Sequence, residues 1–253
     1  MTSRTILITV GSGKFGRTLV KHFLVAGDRV ITTCRTNESL EQLLISYSSY
    51  GESFVGIKAD LTEDSSVMAL RERLDNIGAQ PDCLVNNARS ISSLKIEDDG
   101  LVSRENFAKE YLLDVIVPYE LTMALATQKN SQIRRVVNIG SQYGTVAANP
   151  HLYIDPVKQS PLHYGVAKAA LAHLTKELAV RLAGKNIQVN CVAFGGVEGR
   201  VDDAFKQRYA KLCPMGRMLR DDEVVGPVDM LLSDKCSGIT GHVLAVDGGW
   251  GIW

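Results

Sequence analysis

Short runs of β-branched residues alternate with longer helical patterns along the whole chain of 253 residues. Several runs are apolar almost throughout, which is typical of parallel strands covered by helices on both faces. We predict strands at residues 5–10, 29–34, 54–59, 83–86, 135–139, 187–193 and 243–246. We predict helices at residues 14–26, 38–46, 64–77, 103–127, 162–183 and 221–232, with Gly27 and Gly184 as C-caps. The alternation predicts a doubly wound, Rossmann-like α/β fold, with one parallel seven-stranded sheet between helices.

Composition narrows the class of protein. The 28 Lys and Arg residues balance 28 Asp and Glu residues, so the formal net charge is zero. This balance argues against a nucleic-acid or acidic-membrane partner. No apolar run approaches the ~18 residues of a membrane span, and the first residues lead into a strand, so we expect no signal peptide. The scattered cysteines lack C-x-x-C spacing, so we expect no metal site and a cytoplasmic location. No repeat or linker divides the sequence, and residues 1–253 are predicted to form one domain.

Ligands of doubly wound sheets bind beyond the carboxyl ends of the strands. The first predicted strand runs into "ITVGSGKFGRTLV", a literal G-x-G-x-x-G at Gly11, Gly13 and Gly16. Because these glycines open a helix, they indicate a phosphate-binding turn, and the alternative is a glycine-rich turn that only closes the loop.

Basic side chains follow the first two predicted strands. Arg35 follows the second strand, where NAD-binding proteins usually carry an acid, and Lys14 lies in the glycine turn. An arginine there accommodates a 2′-phosphate, so this pair favours NADP(H) over NAD(H), unless Arg35 is only a solvated loop charge. Asp60, after the third strand, is expected to bind an adenine amino group or to cap the helix predicted from residue 64, although capping would more naturally fall to Thr62. Asn87, after the fourth strand, is expected to pin a neighbouring loop or to contact a ribose.

A hydroxyl, a phenol and an ammonium complete the polar set. Ser141 is the first exposed hydroxyl expected after the fifth strand. Tyr164 and Lys168 are four residues apart in "HYGVAKAALAHLTKEL", which places them on one face of a helix. An ammonium beside a phenol favours the ionised phenol.

In this order, Asp60, "NNA", Ser141 and "YGVAK", with the tail "SGITGHVLAVDGGW", resemble the short-chain dehydrogenase/reductase family over essentially the whole chain. The resemblance implies an NAD(P)(H)-dependent enzyme that interconverts a carbonyl and an alcohol. Tyr164 would be the general acid for reduction, Lys168 would assist it and hold the nicotinamide ribose, and Ser141 would polarise the carbonyl. The implied cofactor-binding residues are Thr9, Gly11, Lys14, Phe15, Gly16, Arg35, Asp60, Leu61, Asn87, Ala88, Tyr164, Lys168, Gly195 and Val197.

The sequence departs from the family pattern at several positions. In the family's T-G-x-x-x-G-x-G turn, aligned on Thr9 and Gly16, Val10 and Lys14 replace glycines. Arg89 replaces a glycine in "NNAR", where it either neutralises a phosphate or crowds the site. Asp114 aligns with the catalytic asparagine, and its carboxylate either holds the relay water differently or pairs with Lys168. The usual proline after the sixth strand is Phe194. We interpret Lys14 as a phosphate ligand that helps to select NADP(H).

Two segments are expected to form the substrate site. The stretch between Ser141 and Tyr164 is longer than usual, so residues 145–161 form either a substrate loop or a surface or subunit-contact loop. Residues 201–220 resemble the family's mobile lid. The long loop and the "DGGW" ending resemble a branch associated with bacterial surface sugars.

Two functions are compatible with these residues. The first is an active NADP(H)-dependent reductase of a small carbonyl or alcohol substrate, assembled as a homo-oligomer, a dimer or tetramer, as is common in the family. The second is a cofactor-binding sensor or structural module whose modified glycine turn impairs catalysis.

Overall fold

A seven-stranded parallel sheet forms the centre of the protein, with strand order β3-β2-β1-β4-β5-β6-β7. The computed structural model describes residues 3–199 and 201–252; the predicted domain 1–253 also includes residues 1, 2, 200 and 253, which lie outside the described residues. The strands are β1 (Thr5–Ile8), β2 (Arg29–Cys34), β3 (Phe54–Lys58), β4 (Cys83–Asn86), β5 (Arg135–Ser141), β6 (Gln188–Phe194) and β7 (Val243–Val246). The predicted fold class is confirmed.

Helices cover both faces of the sheet and create two apolar cores. The helices are α1 (Lys14–Val25), α2 (Asn37–Ser46), α3 (Ser66–Asn76), α4 (Arg104–Tyr111), α5 (Val117–Ala126), α6 (Pro156–Gln159), α7 (Leu162–Leu182), α8 (Asp203–Leu212) and α9 (Val225–Leu232). One core joins α1, α2 and α9 to the sheet, with Phe23 and Val228 fully buried. The other joins α3, α5 and α7 to the opposite face, through Leu121 and Leu178. Burial of both faces explains why the strands are apolar almost throughout.

The predicted helix 103–127 is interrupted by a π-helical turn at Leu112–Ile116. Pro118 explains the interruption, because it has no N–H to donate to the carbonyl group of Asp114 and its ring would clash with that group in a continuous α-helix. Asp114 lies inside this turn and is buried. The turn therefore places a carboxylate in the interior, and π-helical turns are frequent at functional sites.

Other helix ends differ from the predictions in physically simple ways. Gly27 has a φ of +86°, as predicted for a C-cap, but after α7 the left-handed residue is Asn186, with a φ of +57°, rather than Gly184. Neither Thr62 nor Asp60 caps α3, because that helix begins at Ser66 with Ser65 as its N-cap. Asp60 instead closes the preceding turn by accepting from Thr62. The predicted helix 221–232 begins as a 3-10 turn, Asp221–Val224. The segment 201–220 contains α8, which the sequence patterns did not predict.

Candidate functional site

The turn after β1 has the conformation of a glycine turn, with a valine at its tightest position. Val10 has a φ of +55°, a left-handed conformation in which a β-branched residue is a genuine outlier. Gly13 precedes the first residue of α1, Lys14, as its N-cap. Of the two registers, this geometry agrees with the one anchored on Thr9 and Gly16, in which Val10 replaces the first glycine.

Asn87 and Thr9 hold this turn against β4. The Asn87 amide donates to the carbonyl oxygens of Thr9 at 2.9 Å and Val10 at 3.1 Å. The Thr9 hydroxyl accepts from the backbone N–H groups of Asn87 and Ala88, each at 2.8 Å. Of the two roles predicted for Asn87, the structure therefore shows the pinning of a neighbouring loop.

Several predicted cofactor-binding residues are buried or closely packed rather than open to the cavity. Thr9 is fully buried, and Leu61 and Ala88 are 4% and 8% exposed. A Cβ at Gly11 would collide with the Thr32 side chain, and one at Gly16 would collide with the Val10 carbonyl oxygen. These glycines are required by packing, and contacts between a cofactor and these residues remain predictions.

Lys14 reaches across the mouth of the site. Its Nζ lies 2.8 Å from Asp221 Oδ1, in the turn that precedes α9. Nζ also lies against Gly199, where an added Cβ would come within 2.9 Å of it. The Lys14 side chain is 20% exposed and that of Asp221 is 56% exposed. Lys14 thus stands at the N-terminus of α1, already paired with an acid.

The other side chains of the predicted nucleotide end have different surroundings. Arg35 follows β2 and is exposed, and within residues 3–199 and 201–252 no hydrogen bond or ion pair holds its guanidinium. Asp60 Oδ1 accepts from the backbone N–H of Thr62 at 3.0 Å and from its hydroxyl at 2.7 Å. Arg35 is therefore available to an anion, whereas Asp60 closes a turn.

A cavity of about 360 Å³ joins the glycine turn to the polar residues at the ends of β5 and β6. Ser141, Tyr164 and Lys168 all line it, together with Lys14 and Arg89. The predicted cofactor-binding residues Phe15, Asn87, Gly195 and Val197 also line it. Ser141 belongs to β5 and is 7% exposed, so the expectation of an exposed hydroxyl was wrong. The strand continues to Ser141 because its backbone pairs with Phe194 of β6.

Lys168 is held in a buried ion pair. Its Nζ donates to Asp114 Oδ1 at 2.8 Å and to the Ile139 carbonyl oxygen at 2.8 Å. Burial favours the uncharged amine, but the charges of Asp114 and Tyr164 and the hydrogen bond that Lys168 donates to Asp114 outweigh it, so the pKa of Lys168 is raised. Of the two roles considered for Asp114, the structure shows pairing with Lys168.

Two cations flank the ring of Tyr164. The Arg89 guanidinium lies 4.5 Å from the ring centroid, and Lys168 Nζ lies 5.7 Å from it. A guanidinium at this distance from an aromatic face is attracted by the ring quadrupole. Arg89 is exposed at the rim of the cavity, so it can meet both the solvent and an incoming anion.

The insert and the 201–220 segment meet to form the outer wall of the cavity. Arg208 of α8 donates to the Leu152 carbonyl oxygen at 2.7 Å, and the rings of Tyr153 and Phe205 pack edge to face at 6.1 Å. Leu152 is 1% exposed in a small core shared with Trp250. The insert is thus part of the cavity wall rather than a free surface loop.

The sequence patterns missed a phenol and amide network in this wall. Tyr209 donates to Gln142 Oε1 at 3.1 Å and accepts from the Gly196 N–H at 2.9 Å. The Tyr143 and Tyr153 hydroxyls lie 2.9 Å apart, and burial, together with the neighbouring phenol, raises the pKa of Tyr143. Gln142 and Tyr143 directly follow Ser141 at the end of β5, and their position was the sequence feature that could have indicated this network.

The described residues were also compared with the requirements of a metal site and of a membrane-spanning helix. Within 3–199 and 201–252, no group of three or more His, Cys, Asp or Glu side chains is arranged to hold a metal ion. Among the same residues, no helix combines the length and the apolar character that crossing a bilayer requires.

Comparisons with known proteins give relatives along the whole chain. Residues 13–251 match the family model described as enoyl-(acyl carrier protein) reductase. An uncharacterized short-chain type dehydrogenase/reductase of Sinorhizobium fredii is 30% identical over 98% of this chain, which spans 43% of that protein's length. The rhamnolipids biosynthesis 3-oxoacyl-(acyl-carrier-protein) reductase of Pseudomonas aeruginosa is 29% identical, over 99% of this chain and 97% of its own.

Solved structures agree with these relatives. A short-chain dehydrogenase of Leptospira borgpetersenii with bound NAD+ has a TM-score of 0.85 and 29% identity, over 98% of this chain and 93% of its own. The RhlG/NADP active-site complex of Pseudomonas aeruginosa has a TM-score of 0.84 and 28% identity, over 98% of this chain and 96% of its own. Structures of this fold therefore include complexes with each of the two nicotinamide cofactors.

Proposed function

This chain belongs to the short-chain dehydrogenase/reductase family of oxidoreductases, and on that premise we propose that it is an NADP(H)-dependent reductase of a carbonyl compound. The observation that carries the proposal is the single cavity that joins Ser141, Tyr164 and Lys168 to the glycine turn. A hydride acceptor must lie against both a cofactor and a proton donor, and this cavity is bordered by residues suited to both tasks.

Each polar residue of the cavity is assigned one role. NADP(H), when bound, supplies the hydride. Tyr164 donates a proton to the carbonyl oxygen of the substrate, and Ser141 orients and polarises that oxygen. Lys168 stabilises the ionised phenol that remains. Asp114 keeps Lys168 in place from the buried side, as the 2.8 Å ion pair supports.

The preference for NADP(H) rests on the cations at the nucleotide end. No acid follows β2 before Glu38, and Arg35 is exposed where a 2′-phosphate is expected. Lys14, at the start of α1, adds a positive charge where the helix dipole also favours an anion. The residues present therefore fit a dinucleotide with an additional phosphate. Thr9, Gly11, Gly16, Leu61 and Ala88 would support that site from below.

The cavity wall favours a substrate with an apolar portion. Ile91, Leu152, Val201, Phe205 and Met218 line the cavity beside Ser141 and Tyr164. A relative named as a 3-oxoacyl-(acyl-carrier-protein) reductase points to the same chemistry. We therefore propose a 3-oxoacyl thioester or a related ketone as the substrate class, in preference to the sugar suggested by the length of the insert.

The test is oxidation of NADPH, followed by absorbance, with a panel of 3-oxoacyl thioesters, simple ketones and keto sugars. The proposal expects turnover with at least one acyl ketone and faster turnover with NADPH than with NADH. Turnover of keto sugars alone would contradict the substrate class. Binding of NADPH without oxidation across the panel would contradict the enzyme.

A second function is a cofactor-binding module without redox turnover. The observation that favours it is the hydrogen bond from Lys168 to Asp114. The ammonium of Lys168 is thereby paired with a carboxylate, whereas in the active enzyme it would contact the ribose of the cofactor. The panel assay separates the two functions, because both bind NADPH in a fluorescence titration but the module leaves it unoxidised with every substrate of the panel.

Location and assembly are also proposals. Cys34, Cys83, Cys191 and Cys213 are free and buried, which suits a reducing cytoplasm. Large apolar side chains on α4, α5 and α7 or beside them are exposed: Tyr111, Ile116, Tyr119, Leu162 and Val166. These surfaces support assembly into a homo-oligomer, such as a homotetramer, and light scattering measures its mass.

A further inference from the structure

A buried polar cluster lies next to the Lys168–Asp114 pair. It consists of Glu110 on α4, Ser93 in a 3-10 turn and His163 on α7, which are 1%, 1% and 0% exposed. None of the three lines the cavity. Buried ionisable groups are costly unless they are paired or neutral, so this cluster requires a physical explanation.

The hydrogen bonds of Ser93 are compatible with a protonated Glu110. Its Oγ lies 2.5 Å from Glu110 Oε2 and 3.3 Å from the Ser90 carbonyl oxygen. A hydroxyl has one proton, whereas a carbonyl oxygen and an ionised carboxylate can only accept. If Glu110 is protonated, Oε2 donates to Ser93 Oγ and Ser93 donates to Ser90, so both contacts are satisfied.

His163 fixes this serine from the other side. Its Nε2 lies 2.7 Å from the Ser93 carbonyl oxygen, and because a carbonyl only accepts, Nε2 carries the proton of this bond. The Ser93 backbone is therefore held in place, and its hydroxyl stays within reach of Glu110.

The charges around Glu110 point in the same direction. Glu110, Asp114 and Lys168 would together carry one net negative charge in the interior if all three were ionised. Arg89 is the other charged group that acts on Glu110. Burial raises the pKa of Glu110 above its ordinary 4.5 and Asp114 raises it further, while Ser93, Arg89 and Lys168 oppose the shift without cancelling it. Within the described residues, Glu110 Oε1 and Asp114 Oδ2 are buried without hydrogen-bond partners.

We propose that Glu110 is a neutral carboxylic acid in the native protein near neutral pH, so that no second negative charge stands beside the Lys168–Asp114 ion pair. The negative charge of Asp114, four residues along the chain, disfavours the ionised form of Glu110. Glu110 is a positioning residue here, because it acts on the site through Asp114 and Lys168.

The part played in turnover rests on the proposed function. When Tyr164 gives its proton to the substrate oxygen, the Lys168 ammonium stabilises the phenolate that remains. A neutral Glu110 places no second negative charge beside Asp114, so Lys168 and Asp114 remain a balanced ion pair next to that phenolate.

Infrared spectroscopy tests the neutral acid without any assay of turnover. The C=O stretch of a protonated carboxyl is separate from the bands of an ionised one. We expect this band near neutral pH in the wild-type protein, its loss in Glu110→Gln, and its retention in the control Glu105→Gln, an exposed residue of the same helix. A wild-type protein without the band, or a Glu110→Gln protein that keeps it, would overturn the proposal.

The same measurement tests the effect of the Asp114 charge on Glu110. In Asp114→Asn, which removes the neighbouring negative charge, the band should disappear at a pH lower by about one unit or more. An unchanged midpoint would overturn the coupling. Glu110→Gln should also fold, because the amide reproduces the shape and the donor of a neutral acid, and failure to fold contradicts the assignment. The proposed enzymatic function is tested by the NADPH oxidation assay, so its failure can be distinguished from a failure of the infrared test.

Discussion

Lys168 Nζ and Asp114 Oδ1 are 2.8 Å apart, with the two side chains 5% and 1% exposed. The pair joins α7 to the π-helical turn at Leu112–Ile116, directly beside the cavity that Tyr164 lines. Because each charge is removed from water, each depends on the other. The relationship fixes the position of the Lys168 ammonium beside the ring of Tyr164.

Removing one partner of this pair should destabilise the protein much more than removing both. Lys168→Met leaves a buried carboxylate and should lower the free energy of unfolding by about 3–5 kcal/mol, whereas Lys168→Met with Asp114→Leu should recover most of the loss. Urea unfolding near neutral pH measures both. Because the pKa of Lys168 is raised, the pair's contribution is full below about pH 10.5 and is lost as the pH rises further. Additive effects of the two substitutions would contradict the coupling.

The strand and helix order was predictable because each element carries its own pattern. The run 29–34, R-V-I-T-T-C, is rich in β-branched residues and is buried on both faces, so its own sequence indicates a strand. The π-helical turn around Asp114 was not predicted, since it depends on the competition between Pro118 and the helix. Among the site residues, Tyr164 and Lys168 followed from their spacing. The hydrogen bond between Arg208 and Leu152 joins two segments that are far apart in the sequence, so local sequence patterns could not predict it.

Val10 should be strained by its backbone conformation. A left-handed non-glycine residue costs roughly 1–2 kcal/mol, and glycine adopts the same conformation without that cost. Val10→Gly should therefore be more stable than Val10→Ala by about 1 kcal/mol, because alanine keeps the Cβ. Chemical denaturation of the two variants measures the difference. A less stable glycine variant would contradict the strain.

Lys14 and Asp221 should have opposite effects on NADPH affinity. Lys14→Gly removes a cation from the phosphate side of the cavity and should weaken NADPH binding several-fold, by roughly 1 kcal/mol. Asp221→Asn removes the partner 2.8 Å from Lys14 and should strengthen binding. Fluorescence titration gives both dissociation constants. Tighter binding by Lys14→Gly would mean that the lysine obstructs the site.

Arg35 should decide between the two nicotinamide cofactors. Arg35→Asp places a negative charge where the 2′-phosphate is expected, so it should weaken NADPH binding tenfold or more, at about 1.4 kcal/mol per tenfold, with little effect on NADH. Lys129→Asp, at an exposed position beyond α5, makes the same change in net charge and is the control. Equal losses for both cofactors would contradict the 2′-phosphate assignment.

Tyr164→Phe tests the central claim most directly, because it removes one hydroxyl from the cavity wall. With Tyr164 as the general acid, NADPH oxidation with an acyl ketone should fall by about 100-fold or more, while NADPH affinity stays within about threefold. Tyr119→Phe, at an exposed position of α5, should leave both values unchanged. Turnover by Tyr164→Phe at the wild-type rate would contradict the account.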